Sequence, residues 1–326
     1  TLQVRDPVDG KRGAYEAVPP TSIAAWWGAH APEGARIGYD AWLHANGWAD
    51  GVADALKPRN AALVPVASNP VDAVWQDRPA PSLEPAVPHA DEHAGKPAHE
   101  KRAEVAEWLT TKGLDAAVVT ALDSVAWLLN IRGSDVDRTP VALSFVIAHA
   151  DGTADLFIAP EKVTAELTAH LGNAVRVQSR DAFVPALEAL NGRKVAVDPE
   201  RAVAAIFHAL ERAGAKVVAL TDPVVLPKAI KNPVEQAGHR AAQARDGAAI
   251  ARFLRWVGEE APKGRVTELS AADRLQAFRA EGGLLRDLSF DTISGAGPHG
   301  AVVHYRVSAE TSRTLEEFGI RFDVWF

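Results

Sequence analysis

Three groups of residues have types and spacings that could do chemistry. The first is Gly295-Ala296-Gly297-Pro298-His299-Gly300, which fits the spacing G-x-G-x-x-G. In a dinucleotide site such a loop opens a helix whose N–H groups meet a pyrophosphate. Here Pro298 and the following run Ala301-Val302-Val303-His304-Tyr305-Arg306-Val307 favour a strand, so the spacing predicts a loop between strands. The second group is His89, His93 and His99 with Asp91 and Glu92, all metal-type donors. They sit in a Pro/Ala-rich stretch where nothing fixes ligand geometry, which predicts an exposed polar turn. The third is His304, an imidazole in a β-branched run beside a glycine loop. Taken alone, such a histidine is more often structural than catalytic.

Other chemistries are excluded by what the chain lacks. It contains no cysteine, so disulfides, thiolate metal sites and cysteine nucleophiles are ruled out. No G-x-S-x-G nucleophile elbow occurs. A net charge of -7 opposes nucleic acid as a partner, which would favour a basic face. No apolar run reaches the roughly 18 residues of a membrane span, and no signal peptide is visible. Those absences, with the missing cysteines, lead to the expectation of a cytoplasmic protein without a membrane partner. The chain has no methionine and opens on Thr1-Leu2-Gln3-Val4, which reads as the inside of a strand.

The elements that must position these residues follow from periodicity. Residues 1–66 alternate short strands (36–40, 62–66) with a helix over about 41–56, as α/β material does. Residues 67–97 are proline-rich and read as an extended linker. From residue 98 a regular series begins: a helix to 111 ended by Gly113, a buried strand at 116–119, and a helix over 125–129. Strands at 143–148 and 154–158 flank Asp151-Gly152, a hairpin signal. Helix–strand pairs follow at 180–190 with 194–197 and at 199–213 with 216–220, completing an α/β domain over 98–222. A third segment, 223–326, opens a helix at Asn232-Pro233-Val234-Glu235 that should run to about Glu260. A second helix is expected over roughly 271–280, then strands at 288–293 and 301–307.

Several separated stretches, in order, resemble the Xaa-Pro aminopeptidases of the creatinase/pita-bread metallopeptidase family. The run Leu288-Ser289-Phe290-Asp291-Thr292-Ile293-Ser294-Gly295, continuing through Gly300 to His304-Tyr305, is similar to the stretch that opens their catalytic core. Ser124-Val125-Ala126-Trp127-Leu128-Leu129-Asn130-Ile131-Arg132-Gly133-Ser134-Asp135 resembles the three-domain branch. So do Leu226-Pro227-Lys228-Ala229-Ile230-Lys231-Asn232 and Val71-Asp72-Ala73-Val74-Trp75. The resemblance implies an α/β fold of two creatinase-like N-terminal domains, followed by the first part of a pita-bread α+β catalytic domain. It implies boundaries at 1–66 (a partial N-terminal domain), 67–97 (linker), 98–222 and 223–326.

The same resemblance implies an enzyme that removes the N-terminal residue preceding proline from peptides. The complete family enzyme uses two divalent ions, manganese or zinc, and is expected to be a homodimer. Paired ions generate a hydroxide and polarise the scissile carbonyl. The family's Val-His-Tyr histidine lies beside the metals and contacts substrate, a role that falls on His304, whose neutral imidazole can donate to a developing oxyanion. The family's metal-ligand motifs have no counterpart in the tail that ends at Phe326, and Asp323 lacks the small residues that follow the first ligand. The expectation is a piece truncated at both ends, inactive as it stands and holding no metal tightly. Two other readings stay open: a non-catalytic binding or scaffold protein derived from the family, and a creatinase-type amidinohydrolase.

Overall fold

The computed structural model describes residues 15–18, 21–315 and 320–323; for the last four only the backbone is described. Residues 1–14, part of the first sequence-predicted domain, lie outside the described residues. Two compact units form. Of the described residues, one contains those within 16–136 and 140–232, and the other contains Tyr15, the short segment Asp137–Thr139 and those from 233 onward.

The larger unit begins with α1 (Ile23–His30), β1 (Arg36–Tyr39), α2 (Asn46–Leu56) and β2 (Ala62–Pro65). β1 and β2 pair in parallel. Val52 and Leu56 of α2 are buried against Trp27 and Ile37. A second small cluster joins Tyr39, Ala41 and Ala49 to Ala204, further along the chain. The stretch from 67 to 97 includes short helices at Pro70–Val74 and Asp91–Ala94 and the two-residue strand Val87–Pro88.

The rest of this unit is a six-stranded sheet between two helical layers. Its elements are α3 (Ala98–Lys112), β3 (Ala116–Val119), α4 (Leu122–Leu129), β4 (Ser144–His149), β5 (Ala154–Ile158), α5 (Ala165–Leu171), β6 (Val175–Gln178), α6 (Phe183–Glu188), β7 (Lys194–Val197), α7 (Ala204–Arg212) and β8 (Lys216–Ala219). The strand order is β8-β7-β3-β4-β5-β6. β3 pairs in parallel with β7 and antiparallel with β4. All four β3 residues are buried, as a strand covered on both faces requires. Successive side chains alternate: Ala117 and Val119 meet Leu109 and Leu128 on one face, whereas Ala116 and Val118 meet Phe183 and Ile206 on the other.

Several buried polar groups of this unit meet in or against the motif at 124–135. Asn130 ends α4 in the left-handed region, at φ 49°. Its side chain accepts from Lys101 Nζ at 2.6 Å and donates to Lys96 O at 2.9 Å and Asp91 Oδ1 at 3.1 Å. Lys101 is 2% exposed, and its ammonium also donates to Trp127 O and lies 4.1 Å from the centre of the Trp127 ring. A buried ammonium is tolerable only with such partners. Gly133 passes so close to Ala142 that a Cβ would lie 2.8 Å from its backbone. Asp135 forms a buried ion pair with Lys162 and accepts from the Leu143 N–H at 2.6 Å.

The smaller unit is built on α8 (Pro233–Glu260) and α9 (Glu268–Ala280). α9 starts with a capping box between Thr267 and Ser270. Ala249, Phe253, Leu275, Phe278, Ala296 and Leu315 form its core. The strands are β9 (Ile293–Ala296) and β10 (Ile320–Asp323), paired antiparallel. α8 begins and ends as the sequence predicts. The strand expected at 288–293 instead covers 293–296, and the one expected at 301–307 does not form. There the chain makes a 3-10 turn, Gly297–Ala301, then turns and coil. β9 has its partner in β10, and the side chains of His299 and Tyr305 are drawn to one point in the core, which holds 301–307 out of a ladder.

Replacing Asn130 tests the polar cluster. Asn130→Ala is expected to lower the stability of the larger unit by about 3–5 kcal/mol, because it strips a partner from a buried ammonium. Asn130→Gly, which keeps the left-handed backbone free of strain, should recover about 1 kcal/mol of that loss in urea unfolding.

Candidate functional site

The candidate site is in the smaller unit, around the glycine-rich segment. Glu268 is the first residue of α9, yet its side chain turns inward and has no exposed surface. An ionised carboxylate so placed needs several donors. It has four. The Ala296 N–H donates to Oε1 at 2.6 Å and the Arg313 N–H donates to Oε2 at 3.0 Å. The His299 ring donates from Nδ1 to Oε1 at 2.8 Å, and the Tyr305 hydroxyl donates to Oε2 at 3.1 Å. The rings of His299 and Tyr305 stack on each other, with centroids 4.3 Å apart and planes 25° from parallel.

Local backbone geometry makes this convergence possible. Gly297 has φ +56°, which favours glycine, and it is followed by Pro298. A Cβ at Gly295 would lie 3.0 Å from the His299 carbonyl carbon, so the tight return favours glycine there. On the other side, the Glu268 N–H donates to Arg313 O and the Leu315 N–H to Val266 O. The segment 312–315 thus brackets the start of α9. A negative charge here also complements the helix dipole.

The electrostatics agree with the geometry. Burial by itself would raise the Glu268 pKa. The backbone N–H groups of Ala296 and Arg313, then His299 and Tyr305, outweigh it and hold the carboxyl below its ordinary value of 4.5. Tyr305 is pushed up by burial and by the carboxylate it faces, against an opposing bond with Thr311. The phenol therefore stays protonated and remains a donor.

His304, the site residue expected from sequence, lies in the turn after Gly297–Ala301 and is exposed. It sits between the two residues that bind Glu268, with His299 before it and Tyr305 directly after it. Asp323 closes β10, and its side chain lies outside the described residues. Asp91, of the polar group at 89–99, accepts from Asn130, and the His89 and His93 rings lie 5.9 Å apart. Among the described residues, no three His, Cys, Asp or Glu side chains are arranged to hold a metal ion. No described helix is long and apolar enough to cross a membrane.

Sequence reasoning missed Glu268. Thr267-Glu268-Leu269-Ser270 reads as a helix start, where an acid is ordinary and faces solvent. The only available signal was a capping pattern placed before a glycine loop carrying both a histidine and a tyrosine.

Comparison with known families gives the class, the creatinase/prolidase-type metallopeptidases. Residues 77–235 match the Creatinase/Prolidase N-terminal domain, and residues 237–322 match Metallopeptidase family M24. The chain belongs to that family. Within it, the chain is similar to proteins named "Probable Xaa-Pro aminopeptidase P". The Aspergillus clavatus protein is 37% identical over 299 residues, covering 87% of this chain and 45% of the relative. The Aspergillus fumigatus protein is 35% identical over 317 residues, 94% of this chain and 48% of the relative. The chain thus spans about half the length of the curated relatives it matches.

Among solved structures it is similar to X-prolyl aminopeptidase from Caenorhabditis elegans, described as a cytosolic enzyme with a di-nuclear active site. The TM-score is 0.83 at 30% identity, covering 94% of this chain and 50% of that one. A recombinant prolidase from Thermococcus sibiricus shares the fold, at TM-score 0.51 and 20% identity over 70% of this chain and 60% of that one.

The depressed Glu268 pKa carries a pH dependence. Its stabilisation is fully present above the unfolded value of 4.5 and is lost as pH falls through the lower folded value. The smaller unit should therefore lose stability on acidification below about pH 4.5, and Glu268→Gln should flatten that acid limb. Urea unfolding followed by the Trp256 indole resonance checks this; an equally steep acid limb in the variant would contradict it.

Proposed function

We propose that this chain is part of a metal-dependent aminopeptidase that releases the N-terminal residue preceding proline, and that His304 is the residue of its site contributed by this segment. The observation that carries the reading is the joint match. Both the creatinase-type domain and the opening of the M24 domain are present, in the order found in relatives named Xaa-Pro aminopeptidase P. The substrates would be peptides with proline in the second position. The metals would be two divalent ions, manganese or zinc, and the complete protein would be a cytoplasmic homodimer. The likeness to a cytosolic enzyme with a di-nuclear active site supports a pair of metal ions and a cytosolic location in outline.

Within this reading the described residues do not themselves fit a pair of metal ions. When bound, the ions would supply the nucleophile and polarise the carbonyl. His304 stands exposed on a turn, flanked by two side chains anchored in the core, so its imidazole is available to substrate while its backbone is held. A neutral imidazole N–H so presented can donate to the oxyanion that develops as the peptide carbonyl is attacked.

The test is His304→Ala in the full-length protein, assayed on an Xaa-Pro dipeptide with metal content measured in parallel. Turnover should fall by two to three orders of magnitude, about 3–4 kcal/mol, with bound metal unchanged. Loss of metal would make His304 a ligand, and unchanged turnover would remove it from the site.

A further inference from the structure

We propose that Glu268 is the positioning residue of this site. Its buried carboxylate fixes the tautomer and ring plane of His299 and the ring of Tyr305, and through them the turn that presents His304. The proposal rests on the reading of His304 given above.

An ionised carboxylate is acceptor-only, so every group facing it must be a donor. His299 meets it through Nδ1 at 2.8 Å, and Nδ1 must therefore carry the ring proton. The other nitrogen, Nε2, is then the acceptor of the neutral ring. Tyr305 must likewise direct its hydroxyl hydrogen at Oε2. Two rings held to the same carboxylate stack at 4.3 Å, which fixes both planes.

Chain geometry transmits this constraint. His299 and Tyr305 are six residues apart, both pinned to one buried point. The intervening turn has little freedom to move His304 relative to α9. The N–H groups of Ala296 and Arg313 fix the same carboxylate from β9 and from the segment after the turn. Four stretches of chain thus share one anchor: the start of α9, the end of β9, the His304 turn and residue 313. A neutral amide in place of the carboxylate keeps the shape but turns one acceptor into a donor. It would face at least one N–H or O–H with the wrong polarity, a mismatch that a role in packing alone would not feel.

The experiment is long-range nitrogen–proton correlation of the histidine rings in this chain, wild type against Glu268→Gln. In the wild type, neutral His299 should appear wholly as the Nδ1–H form, and His304 as a single sharp set. In Glu268→Gln, His299 should become a mixture of tautomers and the His304 set should shift or split. His149 and His170 of the larger unit should not move. Should Glu268→Gln fail to fold, Tyr305→Phe removes one donor while keeping the stacked ring. It should leave His299 as Nδ1–H and shift His304.

In the full-length enzyme, Glu268→Gln should lower kcat tenfold or more with KM little changed. An unchanged His299 signature in Glu268→Gln, or an unmoved His304 in both variants, overturns the proposal and leaves the reading of His304 standing. Full turnover in His304→Ala removes the reading on which the proposal rests, and overturns it from the other side.

Discussion

A carboxylate with no exposed surface must either take up a proton or be surrounded by donors. Glu268 is surrounded. Two backbone N–H groups, an imidazole and a phenol converge on it, and their sum outweighs the cost of burying the charge. Much of the smaller unit follows from that requirement. The chain must deliver Ala296, His299, Tyr305 and Arg313 to one point. Doing so needs the tight return at Gly295, the positive φ at Gly297 and a bracketing segment at 312–315. The same delivery leaves His304 on an exposed turn.

The larger unit obeys the same physics with the charges reversed. One of its buried cations is Lys101, held by the Asn130 side chain and the Trp127 carbonyl beneath an indole ring. Its buried ion pair is Asp135 with Lys162. Both lie in or against the stretch 124–135, which carries much of the family resemblance. Residues that satisfy buried charge have few acceptable substitutes, because removing one partner strands the other. That gives a physical reason why such a stretch is recognisable in a single sequence.

How much could be read from sequence differs between the two units. β3 and β4 were legible because buried strands are continuous apolar runs, and Asp151-Gly152 marks the hairpin between β4 and β5. The start of α8 was legible because Asn232-Pro233 is local chemistry. The course of residues 288–307 was not. Val302 and Val303 have strand propensity, but propensity yields to tertiary demand, and here the demand is the shared anchor for His299 and Tyr305. Glu268 was invisible for the same reason. A helix-start acid looks alike whether it faces water or the core, and only residues up to 45 positions away decide which.

Amide hydrogen exchange at Ala296 and Arg313 reports most directly on whether one carboxylate organises this unit, since both N–H groups end on it. In wild type at neutral pH both amides should be protected. In Glu268→Gln at least one should exchange tenfold faster or more, while α8 and β3 amides keep their protection. Equal protection of both amides in the two proteins would contradict the account.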